Sequence, residues 1–171
     1  EAELDVLLNQ GGAVFAPEVH VAVSSSPGDL LAGDFDGDLD ADVAFLNGVG
    51  GVSILRNLGG GFAPEVQYAT AILSTCMASA DLDGDGGLDL ALGTLSSAGF
   101  AVLFNQGGAS FAAPLRTESL LANSIALGDL DGDGHADLLL SDGATVSLAL
   151  NPGDGLFPPL ALHMVRVGEE T

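Results

Sequence analysis

Residues 128–141 read GDLDGDGHADLLLS. Aspartates alternate with glycines and run straight into an aliphatic stretch, with no lysine or arginine nearby to offset them. Such a loop needs a counter-charge from outside the chain. Asp129, Asp131, Asp133 and Asp137 stand at positions 1, 3, 5 and 9, and the carbonyl of His135 at position 7 can add a further oxygen. An oxygen-only shell of this kind suits calcium, which takes six to eight ligands at roughly 2.3–2.6 Å. Magnesium fits less well, because it keeps several waters and rarely accepts an all-protein cage. Gly132 and Gly134 allow backbone angles that a β-carbon opposes.

The pattern occurs three times. GDFDGDLDAD (33–42) places Asp34, Asp36, Asp38 and Asp42 at the same spacings, and ADLDGDGGLD (80–89) does so with Asp81, Asp83, Asp85 and Asp89. Asp34 and Asp81 are 47 residues apart, and Asp81 and Asp129 are 48 apart. A single Asp/Gly run reads as a solvated turn. Three in register predict three Ca²⁺ sites.

A second mark keeps the same period. NQGGAVFAPEV (9–19), NLGGGFAPEV (57–66), NQGGASFAAPL (105–115) and NPGDGLFPPL (151–160) recur between the acidic loops. Each full unit therefore reads as apolar strand, metal loop, aliphatic strand, turn, aliphatic strand, Asn-Gly turn and a Phe-Ala-Pro strand. Short strands with Gly/Asn/Asp turns indicate antiparallel meanders, and no segment carries a long 3.6-residue period. Four such strands per 46–48 residues describe one blade of a β-propeller. LDVLLN aligns with VSILRN and TVSLALN, the third strand of a unit, so the chain opens part-way through one.

The expected fold is all-β: a β-propeller-like array of four-stranded antiparallel blades with about three and a half repeats. It divides into a half blade (1–23), blade 1 (24–70), blade 2 (71–118) and blade 3 (119–171). A half blade exposes strand edges, and exposed edges recruit partners. It can cap its own chain or complement a neighbouring one, giving a ring or filament.

GDFDGDLDADVAFL, ADLDGDGGLDLAL and GDLDGDGHADLLL resemble FG-GAP/VCBS repeats, the calcium-loop blades of integrin α-subunit propellers and of many bacterial secreted proteins. The resemblance implies one Ca²⁺ per loop, in the hairpin between the first two strands of a blade. The twelve aspartates match its ligands, joined by the position-7 carbonyls of Asp40, Gly87 and His135. Leu39 departs from the pattern, standing where the other loops have Gly86 and Gly134, and predicts a strained first turn or a weaker site; Asp40 beside it reads as a compensating extra acid or an exposed one. EF-hand loops need Glu at position 12, where this chain has Phe45, Leu92 and Leu140.

Composition narrows the function. Among 171 residues, 24 acids face 3 basic residues, for a net charge of −21, which three Ca²⁺ would bring to −15. Arg56, Arg116 and Arg166 alone could meet phosphate, so nucleic acid and anionic membranes are disfavoured as partners. A 47% hydrophobic content and a mean hydropathy of +0.44 speak against disorder. The lone Cys76 reads as a small buried hydrophobe. No signal peptide or membrane-length apolar run is found, and the chain reads as a mature product or a fragment. Weak calcium sites fill where calcium is millimolar, which points outside the cell.

No nucleophile elbow, Cys–His pairing or phosphate loop occurs, and the paired carboxylates are committed to metal, so no enzyme is expected. Ligation free energy becomes folding free energy. At 100-fold saturation each site adds about 2.7 kcal/mol, comparable over three sites to the stability of a whole domain. The first reading is a secreted, calcium-stabilised structural or adhesion protein, homo-oligomeric or fibre-forming, with a glycan or cell-surface protein as partner. The alternative is a carbohydrate-binding, lectin-like module or a non-catalytic piece of a larger propeller. Against a lectin stand the absence of Trp and the single Tyr68.

Overall fold

The computed structural model of the chain describes residues 2–94, 99–117, 121–157 and 162–166. The described residues form strands and turns with no helix, and hence no helix able to cross a membrane. Strands β1 (Ala2–Val6) and β2 (Val19–Val23) form a two-stranded sheet. Blade 1 is β3 (Pro27–Gly33), β4 (Asp42–Asn47), β5 (Gly51–Leu55) and β6 (Val66–Ala69). Blade 2 is β7 (Cys76–Ala80), β8 (Asp89–Gly93), β9 (Phe100–Leu103) and β10 (Leu115–Thr117). Blade 3 is β11 (Ser124–Gly128), β12 (Asp137–Ser141), β13 (Thr145–Ala149) and β14 (Leu162–Arg166). Each blade is an antiparallel meander in chain order. The array is propeller-like, as its repeats predict.

One expectation needs correcting. Phe62 and Phe111 make only isolated bridges, to Asn57 and Asn105, and the fourth strands begin further on, at Val66 and Leu115. Pro64 and Pro114 lie between bridge and strand; proline has no N–H to give a ladder.

The inner strands β4, β5, β8 and β9 are buried nearly throughout rather than alternating. Successive side chains point to opposite faces, and here each face meets another sheet. Ala44, Val52 and Ile54 of blade 1 pack with Leu90, Leu92, Ala101 and Leu103 of blade 2. The opposite face of blade 2, with Ala91, Phe100 and Val102, packs with Leu138, Leu140 and Ala149 of blade 3. Phe45 and Leu55 on the other face of blade 1 meet Leu4, Val21 and Val23 of the half blade. The core is thus a series of layers between sheets. The half blade caps its own chain.

Asparagine fastens successive blades. Asn105 Nδ2 donates within blade 2 to Leu88 O (3.2 Å) and across the junction to Phe35 O of blade 1 (2.8 Å). Asn151 repeats this, donating to Ala136 O (3.1 Å) and to Leu82 O of blade 2 (2.8 Å). Phe35 O also accepts Ala109 N (3.0 Å), and the Phe35 and Phe111 rings meet edge-on at 6.0 Å. Asn57 Nδ2, at the junction with the half blade, reaches only Ala41 O among the described residues (3.3 Å). An unpaired buried partner costs about 1–3 kcal/mol. Asn105→Ala is therefore expected to cost about 2–3 kcal/mol and Asn57→Ala about 1 kcal/mol, in urea unfolding with calcium present. Equal losses would mean that the bond between blades contributes nothing.

Candidate metal centres

The three acidic loops join the first and second strands of blades 1, 2 and 3, on the same rim. Their backbones fold around their own side chains. The first aspartate accepts N–H groups at positions 4 and 6: Asp34 from Gly37 (2.7 Å) and Leu39 (2.9 Å), Asp81 from Gly84 (2.8 Å) and Gly86 (3.0 Å), Asp129 from Gly132 (2.7 Å) and Gly134 (3.1 Å). At position 3, Asp36, Asp83 and Asp131 each accept the amide two residues on. Asp38, Asp85 and Asp133 at position 5 accept those of Asp40, Gly87 and His135, the residues whose carbonyls the sequence offers as ligands.

Position 9 has a further duty. Asp42, Asp89 and Asp137 are fully buried. One oxygen of each accepts the amide of loop position 2: Phe35 (3.0 Å), Leu82 (2.8 Å) and Leu130 (2.8 Å). The other accepts the amide of Asn57 (2.7 Å), Asn105 (2.7 Å) or Asn151 (2.9 Å). These carboxylates tie the metal loop to the asparagine turn. Burial pushes Asp42 up from its ordinary value, and pushes Asp89 up to about 6, against the amides that favour its charge.

Carboxylate oxygens of Asp34, Asp36 and Asp42 lie within 4.8 Å of one another, as do those of Asp81, Asp83 and Asp85, and those of Asp129, Asp131 and Asp137. Oxygens sharing one Ca²⁺ at about 2.4 Å can be no further apart than about 4.8 Å. Each loop thus offers an all-oxygen set that a calcium ion could close, with Asp36 also near Arg56 Nη1 (3.5 Å). Asp38 and Asp133 fall outside these sets; each turns an oxygen to an amide of its own loop. Asp89 lies outside its set, although it accepts the same two amides as Asp42 and Asp137, which lie within theirs.

Leu39 has φ 75°, the left-handed region that its counterparts Gly86 (φ 90°) and Gly134 (φ 93°) enter freely. Its side chain is 91% exposed, so no burial offsets the strain. Sequence reading missed two features. The bond from asparagine to the preceding blade needs the juxtaposition of sheets, although the recurring Asn was the available signal. A cluster of Glu3, Asp5 and His20 arises because β1 and β2 pair Asp5 with His20. His20 Nδ1 lies 2.7 Å from Asp5 Oδ1, and that hydrogen bond raises the imidazole pKa. The cluster is exposed and reads as a surface ion pair.

A family model described as FG-GAP-like repeat matches residues 34–92 and 81–140, more than half of the chain. The chain belongs to the FG-GAP-like repeat family. No curated protein matches this FG-GAP-like chain significantly. Among solved structures it is similar to an Agrocybe aegerita lectin, whose structure concerns recognition of non-reducing terminal N-acetylglucosamine. The identity is 28% and the TM-score 0.62, covering 90% of this chain and 44% of the lectin. It is also similar to part of the Photorhabdus luminescens Tc holotoxin pore, at 17% identity and TM-score 0.50, covering 98% of this chain and 9% of the other. That second likeness concerns the fold alone. The FG-GAP-like chain spans less than half the length of either.

Replacing Leu39 by Asn, which tolerates the left-handed region, should raise stability by about 1 kcal/mol in thermal melts. An unchanged melt would show that the loop relaxes in solution. A raised Asp89 pKa means that the metal-free folded chain holds this proton more tightly than the unfolded chain, whose value is about 3.9. The associated stability is present below about pH 4 and lost as pH rises through about 6. A cation seated among Asp81, Asp83 and Asp85 would offset the repulsion that Asp83 and Asp85 exert on Asp89 and favour its charged form, so calcium affinity at this loop should fall as pH drops below about 6. Calorimetric titrations giving one affinity from pH 5 to 7 would contradict this.

Proposed function

We propose that the chain is a calcium-stabilised, non-catalytic recognition module that works outside the cell and binds carbohydrate. The lectin likeness, at 28% identity over 90% of the chain, carries the carbohydrate reading. Three oxygen-only loops support calcium. Sites of this kind fill at extracellular calcium levels. The non-catalytic reading rests on the carboxylates being engaged in the loops and on His20 being held by Asp5.

A mostly apolar cleft carrying a few polar groups supports the choice of ligand. It lies between blades 1 and 2, away from the acidic loops, with a volume of about 280 Å³, near the lower end for ligand sites. Ser26, Asp29, Asn47 and Ser74 line it together with Leu46 and Leu73. Asn47 Oδ1 and Ser74 Oγ are buried with no hydrogen-bond partner. The orientation of Asn47 is fixed: Ser53 donates its hydroxyl to Glu65 Oε1 (2.6 Å), so its oxygen must accept Asn47 Nδ2 (3.2 Å). The unpartnered carbonyl suits a hydroxyl donor. At the next junction Cys76 and Ala122 crowd Gly93 in the corresponding place. Phe15, 56% exposed on the half blade, offers a stacking face away from this cleft.

A second reading is assembly with neighbouring chains through open strand edges, favoured by the half blade. Glycan arrays followed by titration with N-acetylglucosamine test the first reading; binding is expected, weakened about tenfold or more in Asn47→Leu. Retention of no neutral sugar would end it. Solution mass with and without a chelator tests the second, where a monomer in both would exclude assembly.

A further inference from the structure

The cleft between blades 1 and 2 takes its polarity from a residue that does not line it. Asn47, 6% exposed at the end of β4, donates through Nδ2 to Ser53 Oγ (3.2 Å). Ser53 in turn gives its hydroxyl to Glu65 Oε1 (2.6 Å). Glu65 stands just before β6, outside the lining of the cleft. Its Oε1 also accepts the hydroxyl of Ser24 (2.8 Å) and Nε2 of Gln67 (2.9 Å), and its Oε2 accepts the backbone amide of Ser24 (2.7 Å). Burial pushes the Glu65 carboxyl up, but the bonds from Ser53, Gln67 and Ser24 outweigh it and hold the group below its ordinary value. An ionised carboxylate only accepts. Ser53 must therefore donate to Glu65, and Asn47 must meet Ser53 with its nitrogen, which leaves Oδ1 without a protein partner. Blade 2 cannot build this chain of bonds, because Thr94 and Ala101 stand where blade 1 has Asn47 and Ser53. There Ala122 N of blade 3 donates to Thr94 O instead (2.8 Å).

We propose that Glu65 is the specificity-determining residue of this cleft, acting through Ser53 to present Asn47 as an acceptor for a ligand hydroxyl. The inference deepens the carbohydrate reading above and rests on it for the ligand. Its sharpest consequence concerns Glu65→Gln, which barely changes the shape of the side chain. The backbone amide of Ser24 needs an oxygen opposite it, so the new amide turns its oxygen there and its nitrogen toward Ser53. Ser53 then accepts that N–H and gives its own proton to Asn47. The chain of bonds is reversed: Asn47 swings its oxygen to Ser53 and its nitrogen to the cleft. Loss of one distant charge thus converts an acceptor into a donor.

The test follows two readouts in the full chain. One is hydrogen exchange at the Asn47 side-chain amide, by NMR on isotope-labelled protein. The other is binding of N-acetylglucosamine and its monodeoxyfluoro derivatives, each of which lacks one hydroxyl donor. In Glu65→Gln the amide leaves Ser53 for the cleft, and its exchange should be about tenfold faster. Fluorine at one ring position should weaken binding to the unsubstituted chain about tenfold, and to Glu65→Gln less than about threefold. Gln67→Ala removes a donor from the same carboxylate without reversing the bonds, and should leave both readouts as they are. Ser53→Ala cuts the connection, so exchange at Asn47 should be fast in it with or without Glu65→Gln. Unchanged exchange in Glu65→Gln, or an equal effect of Gln67→Ala, would overturn the proposal. Failure to bind any sugar would end the carbohydrate reading, and the amide exchange would still decide whether Glu65 orients Asn47.

Discussion

A single buried carboxylate organises each rim. Asp42, Asp89 and Asp137 each hold the amide at the start of an acidic loop with one oxygen and the amide of an asparagine with the other. In blades 2 and 3 that asparagine then reaches the backbone of the preceding blade. Metal loop, turn and junction are therefore links of one chain of polar bonds. Charge placed in so little water is tolerable because every oxygen has a donor, and because the neighbouring aspartates form a shell that a cation can neutralise.

This arrangement suits a repeat architecture. Each sheet is too thin to bury its own side chains, so stability resides in layers between sheets, with each unit touching only its neighbours. The layers are not equivalent. Tyr68, Phe35 and Phe111 meet edge-on between blades 1 and 2, and Phe100 and Phe157 between blades 2 and 3. Where the half blade meets blade 1, the compact layer is smaller and carries no such ring pair among the described residues.

Much of this was legible in the residues. The spacing of the aspartates located the loops, and the repeat length gave the four-stranded unit, because turn chemistry and side-chain period are local properties. Leu39 was legible too: a β-carbon at a position held twice by glycine predicts strain, and its φ of 75° reports it. The start of the fourth strand was misplaced because Phe62 and Phe111 look like strand residues, while the prolines behind them decide where a ladder can begin. The double role of Asp42, Asp89 and Asp137 was hidden, since a ligand-like spacing says nothing of which amides fold back onto a carboxylate. The asparagine bonds depend on sheets side by side, and the Asp5–His20 pair on strand register.

The uneven layers have a mechanical corollary. Were the chain tethered at both ends, as a surface or matrix protein can be, load would reach its thinnest seam first. Among the described residues β1 pairs with β2 alone, so this two-stranded sheet would peel before any four-stranded one gave way. The remaining blades, locked by aromatic contacts and side-chain amides, would stay folded through the early extension, setting a compliant seam beside a stiff stack.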